Sequence, residues 1–135
     1  MAELDGLRIL MVDDDDDTRD VVSRLLQAAG ATVSMASSAR EGLEVFGRDR
    51  PHVLLVDIAM PGEDGLSFLR KVRARQPDEG GQTPAAALTA RAVLEDRLES
   101  LRAGFQAHMA KPVMPAELIE VMATLAGRPV TGKPA

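Results

Sequence analysis

The sequence has no cysteine, no tryptophan and no tyrosine, and its phenylalanines are three: Phe46, Phe68 and Phe105. Without cysteine there can be neither a disulfide framework nor a thiolate metal site. With so few large rings there is too little aromatic surface to stack nucleobases. Positive charge is also scarce: 16 Lys and Arg stand against 21 Asp and Glu, for a net charge of -5. Nucleic-acid surfaces usually carry the opposite bias, so direct nucleic-acid binding is not expected. No apolar run approaches the ~18 residues of a membrane-spanning helix, so membrane insertion is not expected either. The opening MAELDGL lacks a basic stretch followed by an apolar one, which predicts no signal peptide and a cytoplasmic protein.

What the sequence does have is a regular alternation of short apolar runs and longer amphipathic stretches. Its 135 residues suit one domain. Arg8 to Val12 reads as a strand, followed by five consecutive aspartates and a helix from about Thr18 to Ala29. Val21, Val22, Leu25 and Leu26 share a face of that helix, and Gly30 is placed to end it in a left-handed conformation. A weak strand, Thr32 to Ala36, precedes Ser38 and Glu41, spaced like a capping box that opens a helix to about Arg48. Val53 to Val56 is continuously apolar, as strands buried on both faces are. A loop from Asp57 to Gly65 leads to a helix carrying Leu66, Phe68, Leu69 and Val72. A polar Pro/Gly loop, Gln76 to Gln82, follows.

Ala85 to Leu88 is a harder case, because alanine favours helix. The run is too short for a helix, and its place in the repeating order predicts a strand. A helix from about Val93 to Ala103, a short strand from His108 to Ala110, and a helix from Pro115 to Ala126 complete the series. Pro115 suits a first helical position. The domain is expected to span 1–126, with the Gly/Pro/Lys-rich stretch 127–135 a disordered tail. Five β-α units predict an α/β fold: a five-stranded parallel sheet, doubly wound, with helices on both faces. The common order for such a (βα)5 chain is 2-1-3-4-5, the flavodoxin-like arrangement, with ligands bound beyond the carboxyl ends of the strands.

Those carboxyl ends hold the candidate site. The first strand ends in Asp13 and Asp14, the third in Asp57, the fourth in Thr89, and the fifth runs into Lys111. Five aspartates in a row are most simply a solvated acidic loop. Their position directly after a buried strand, beside the end of the third, argues instead for a functional pair in Asp13 and Asp14. Asp15, Asp16 and Asp17 then supply the loop and a helix N-cap. Three converging carboxylates repel one another, and each pKa would be pushed up. A hard divalent cation relieves this, and Mg²⁺ suits a few carboxylates, waters and phosphate oxygens. Thr89 adds a hydroxyl and Lys111 a mobile charge, a set able to stabilise a transferring phosphoryl group. A carboxylate can itself attack phosphorus to give an aspartyl phosphate.

Four stretches together resemble the response-regulator receiver family of two-component systems. They are Ile9 to Asp15, Leu54 to Gly65, Ala87 to Ala90, and Ala110 to Pro112, in the family's order and at similar separations. The resemblance covers about Leu7 to Ala126. It implies that Asp57 is the phosphoacceptor. It implies that Asp14 and Asp57 bind Mg²⁺ directly, with Asp13 acting largely through water and the Ala59 carbonyl as a further ligand. Thr89 and Lys111 would bond phosphoryl oxygens, and the Lys111–Pro112 bond would be cis. A histidine kinase or a histidine phosphotransfer protein would be the donor. A downstream effector would be met through the face formed by helix 4, strand 5 and helix 5. His108 stands where the family often has Tyr or Phe, so a ring-swinging switch is not carried over to it. Gly104 to Val113 and Pro115 to Leu118 resemble the receivers of hybrid sensor kinases more than those of DNA-binding regulators.

Two other readings compete. A small-molecule phosphatase or phosphotransferase with an aspartyl nucleophile usually carries a second acid two residues on, where this chain has Ala59, and needs a covering insertion. A pseudo-receiver that binds partners without phosphorylation would have lost some of these side chains, and all are present. His52, before the third strand, is assigned to the surface without a role.

Overall fold

The structure, a computed structural model, describes residues 3–90 and 94–128, and of 94–96 the backbone alone. Five strands, β1 (Arg8–Val12), β2 (Thr32–Ala36), β3 (Val53–Asp57), β4 (Ala85–Thr89) and β5 (Ala107–Ala110), alternate with five helices. The helices are α1 (Asp16–Ala28), α2 (Ala39–Asp49), α3 (Gly65–Arg73), α4 (Leu94–Ala103) and α5 (Pro115–Leu125). All strand pairs are parallel, and the order is β2-β1-β3-β4-β5. This is the predicted sheet. The expected start of α4 at Val93, and the part of the expected disordered tail from residue 129 on, lie outside the described residues.

Between their polar ends, Ile9–Val12, Val53–Val56 and Ala85–Leu88 of the central strands are apolar throughout, because each face is covered by helices. Alternate residues of each strand go to opposite sides. Ile9, Met11, Val53, Leu55, Ala86, Leu88 and Met109 pack with Val22 and Leu26 of α1 and Leu118 and Met122 of α5. Leu10, Val12, Leu54, Val56, Ala85 and Ala87 pack instead with Phe46 of α2, Phe68 and Leu69 of α3, and Phe105. The alanines of β4 are thus strand residues, Ala85 and Ala87 sharing their cluster with the three phenylalanines and Ala86 facing the other side. Burial on both faces overrides their helix propensity.

Local signals set most boundaries. Asp15 is the N-cap of α1, accepting from the Asp17 amide, so the helix begins at Asp16, two residues before the expected Thr18. Asp16 and Asp17 fall in its first turn, beside the positive end of the helix dipole. Ala29 caps the other end, and Gly30 follows at φ +100°. The Ser38 hydroxyl accepts from the Glu41 amide at 3.1 Å, while the Glu41 carboxylate accepts from the amide of Ser37 rather than Ser38, a capping box displaced by one residue. A turn of 3-10 helix, Pro77–Glu79, sits inside the expected polar loop. No helix among the described residues is long and apolar enough to cross a membrane.

Candidate functional site

The parallel register brings the carboxyl ends of β1, β3, β4 and β5 to one edge of the molecule. Val12 pairs with Val56, so Asp13 and Asp57 emerge side by side. Asp57 pairs with Leu88 and Thr89 with Ala110, which puts Thr89 and Lys111 one step further along the same edge. The Lys111 amide donates to the Thr89 carbonyl at 2.7 Å, tying the two together. Asp13 and Thr89 are buried, and Asp57 is only 4% exposed. Asp14 and Ala59 face solvent.

Asp13, Asp14 and Asp57 each offer a carboxylate oxygen, and these lie within 4.8 Å of one another. The Lys111 ammonium stands 2.9 Å from Asp13 Oδ2 and 3.4 Å from Asp57 Oδ2. The other oxygen of each carboxylate accepts from a backbone amide two residues on: Asp15 N to Asp13 Oδ1 at 2.9 Å, and Ala59 N to Asp57 Oδ1 at 3.0 Å. One ammonium cannot balance three carboxylates. The donor set, all hard oxygens close together, is of a kind that could hold a divalent cation such as Mg²⁺.

The charges show the same competition. Burial pushes the Asp57 carboxyl above the usual carboxylate range; the Ala59 amide pulls it back, the Asp13 charge raises it again, and Lys111 lowers it, leaving it raised. Burial pulls Lys111 down, but the hydrogen bond and charge of Asp13, and then those of Asp57, hold it above the ordinary lysine value.

The loop after β3 is shaped by Asp64 and Gly65. Asp64 caps α3 by accepting from the Ser67 amide at 2.9 Å. A Cβ on Gly65 would fall 2.2 Å from the carbonyl oxygen of Asp57 itself. Gly65 is therefore required by close approach to the Asp57 peptide, and it does not serve merely as a turn former. The Lys111–Pro112 bond is cis. Between the segment after β5 and α1 runs a groove of about 210 Å³, lined by Asp17, Thr18, Val21, Val22, Lys111 and Val113.

The structure thus brings together all the residues expected at the site: Asp13, Asp14, Asp57, Ala59, Thr89 and Lys111. His108 lies half-buried on β5, opposite Ala87 and away from this cluster, beside a hollow shared with Arg97, Ser100 and Leu101. Sequence reasoning passed over Arg19. Its guanidinium donates to the Asp13 carbonyl at 2.6 Å and pairs with the Asp16 carboxylate. The available signal was a lone cation in a stretch of six acids, Asp13–Asp17 and Asp20.

Comparisons with known proteins agree with this geometry. Residues 9–123 match the response regulator receiver domain. An uncharacterized 14.6 kDa protein of Leptolyngbya boryana is 43% identical over 90% of this chain and 92% of its own length. The response regulator MprA of Mycobacterium ulcerans is 38% identical over 91% of this chain, which spans 51% of that protein. The receiver domain of the sensor histidine kinase PA1611 of Pseudomonas aeruginosa, a structure with magnesium coordinated in its active site cleft, superposes with a TM-score of 0.82. It is 32% identical and covers 90% of this chain and 98% of its own. With the sheet order, the acidic edge and the match over nearly the whole described chain in agreement, the protein belongs to the response regulator receiver domains of two-component signalling.

Proposed function

We propose that this domain takes a phosphoryl group onto Asp57 from a phosphohistidine donor, a histidine kinase or histidine phosphotransfer protein, and that the phosphorylated form controls a downstream effector. One observation carries the reading. A nearly buried carboxylate, Asp57, shares the Lys111 ammonium with Asp13 and lies within 4.8 Å of two further carboxylate oxygens.

Asp14, Asp57 and the Ala59 carbonyl would hold Mg²⁺ directly, with Asp13 acting largely through water. The magnesium in the cleft of the Pseudomonas aeruginosa neighbour supports that choice of metal. When bound, the ion offsets the negative charge gathered on carboxylates and phosphoryl oxygens. A carboxylate oxygen of Asp57 attacks phosphorus in line. The new O–P bond forms as the P–N bond to the donor imidazole breaks, and the imidazole leaves with that electron pair. Lys111 leaves the Asp57 carboxylate to pair with a phosphoryl oxygen, and the Thr89 hydroxyl donates to another. The groove walled by Val21, Val22, Lys111 and Val113 reaches Lys111, the partner of Asp57, and seats an apolar surface of the donor protein. The effector meets the face of α4, β5 and α5, where Leu98 and Leu101 stand exposed.

The test is labelling with a small acyl phosphate and Mg²⁺, followed by mass. The protein gains one base-labile phosphoryl group, and Asp57→Asn abolishes it with the fold retained. Undiminished labelling of that variant would remove Asp57 as the acceptor.

A further inference from the structure

Five consecutive carboxylates crowd the turn between β1 and α1, and they do not behave alike. Asp13 is buried and Asp14 faces the site edge, whereas Asp15 caps α1 by accepting from the Asp17 amide and the Thr18 hydroxyl. Asp16 points to Arg19. The Arg19 side chain is only 17% exposed, although its partner Asp16 is 87% exposed. A guanidinium is rarely buried to this degree without a specific job, because desolvating it is costly.

Its two ends do different things. Nη1 donates to the carbonyl of Asp13, while Nη2 takes the Asp16 carboxylate. That carbonyl lies one residue past the end of β1. The Asp13 amide is still held by the sheet, donating to Ala36 O at 3.1 Å, and the Asp13 carboxylate is held by the Asp15 amide and by Lys111. Arg19 holds the remaining polar atom of Asp13. The same peptide plane carries the Asp14 nitrogen, so its orientation sets the direction in which the Asp14 side chain leaves the backbone.

We infer that Arg19 is a positioning residue for the acidic site. By fixing the Asp13–Asp14 peptide and drawing Asp16 aside, it divides the five-aspartate run into a pair that faces the site and a group that serves the helix. The inference rests on the reading of Asp13, Asp14 and Asp57 as a Mg²⁺ site.

Two effects of Arg19 on a divalent cation oppose each other. A positive charge nearby repels the ion, while an ordered carboxylate pair attracts it. Because the Arg19 charge is already paired with Asp16, its repulsion is largely cancelled beyond the pair, and the ordering effect dominates. Groups that orient metal ligands typically change affinity by 10- to 100-fold when removed.

The experiment is a Mg²⁺ titration of the intact protein, read from the amide NMR shifts of Asp57 and Ala59. Thermal melts in a chelator report the fold of each variant. Arg19→Gln binds Mg²⁺ roughly tenfold more weakly. Arg19→Lys falls between it and the wild type, since an ammonium keeps the charge but cannot grip carbonyl and carboxylate with one planar fork. Asp16→Asn falls between Arg19→Gln and the wild type, because it uncovers the Arg19 charge but leaves the bond to the Asp13 carbonyl in place. An Arg19→Gln protein that is less stable yet binds Mg²⁺ as the wild type does has lost only a structural contact, and this overturns the inference. Tighter binding by that variant overturns it too, showing that charge alone is felt. Should Arg19→Gln fail to fold, wild-type affinity in Arg19→Lys is the overturning result. A wild-type protein whose Asp57 and Ala59 amides ignore Mg²⁺ fails the underlying site instead, and the two failures are thereby told apart.

Discussion

His52 carries no catalytic group to the site, yet it joins two strands at the opposite end of the sheet. Its Nδ1 accepts from the Arg8 amide at 2.9 Å, and its own amide donates to the Arg8 carbonyl at 2.8 Å. The first of these bonds requires a ring unprotonated at Nδ1. Burial, and then the charges of Arg8 and Arg128, hold the imidazole below its ordinary pKa. The unfolded chain therefore binds this proton more tightly than the folded one. The stability His52 contributes is present above the unfolded value of about 6.5 and is lost as pH falls through the lower folded value. Urea unfolding at a series of pH values should show stability falling below about pH 6.5, and His52→Asn, which keeps an acceptor but cannot titrate, should flatten that fall. An unchanged slope in the variant would assign the pH dependence to other groups. The same residue shows what a sequence can and cannot reveal. Asp13, Asp57, Thr89 and Lys111 were legible because each ends a strand whose apolar pattern is plain. His52, Arg19 and Arg73 were not, because each is held at least in part by backbone atoms, and a carbonyl or amide looks the same under every side chain.

Among the elements, β1, β3 and β4 were legible because burial on two faces leaves a continuous apolar run, whereas β2 and β5, partly exposed, were legible mainly from their place in the alternating order. The boundary of α1 was less so: five aspartates offer five equivalent caps, and only the fold chooses Asp15. The joint between α3, α4 and β5 was not legible at all. Arg73, at the end of α3, donates twice to the Gly104 carbonyl just past α4, once to Gly81 O at 3.1 Å, and once to Gln106 Oε1. Gln106 Oε1 in turn accepts from the Ala85 amide at the start of β4. Burial lowers the pKa of this guanidinium, although it stays charged at any ordinary pH. Its partners are carbonyl oxygens drawn from two loops, the one before β4 and the one between α4 and β5, so it works as a clamp and not as half of an ion pair. Removing it leaves partly buried carbonyls without a donor, which costs ~1–3 kcal/mol for each group so stranded. Arg73→Met should lower the unfolding free energy by about 2–3 kcal/mol in urea melts, and Arg73→Lys should recover part of that loss. A change below ~0.5 kcal/mol would mean that water replaces the clamp without penalty.

At the scale of the whole molecule, the chemistry and the clamp lie at opposite ends of the sheet. Asp13, Asp57, Thr89 and Lys111 gather where the strands end, while Arg73, Gly104, Gln106 and Ala85 tie the base of α4 and the entries to β4 and β5. Receiver domains signal, and this arrangement gives the signal a direction. On the proposed reading, a phosphoryl group on Asp57 would draw Lys111 away from Asp13 and Asp57, and the Lys111 amide is bonded to the carbonyl of Thr89, which ends β4 ahead of α4. Any shift of that pair is therefore passed to the start of α4 and to β5, whereas the far end of α4 is held by Arg73. A ligand can bias only a face that has two arrangements to choose between, and this face qualifies if one end moves while the other stays. Phosphorylation, or a stable phosphoryl mimic at Asp57, should shift the amide NMR signals of Ala107–Ala110 and Pro115–Leu125. Along α4, the changes should be larger from Leu94 to Ser100 than at Gly104. Arg73→Met should erase that gradient by freeing the base of the helix. Shifts confined to the loops around Asp13, Asp57 and Lys111 would identify a passive phosphoryl carrier, since a relay needs only the chemistry at Asp57 and no second conformation of α4.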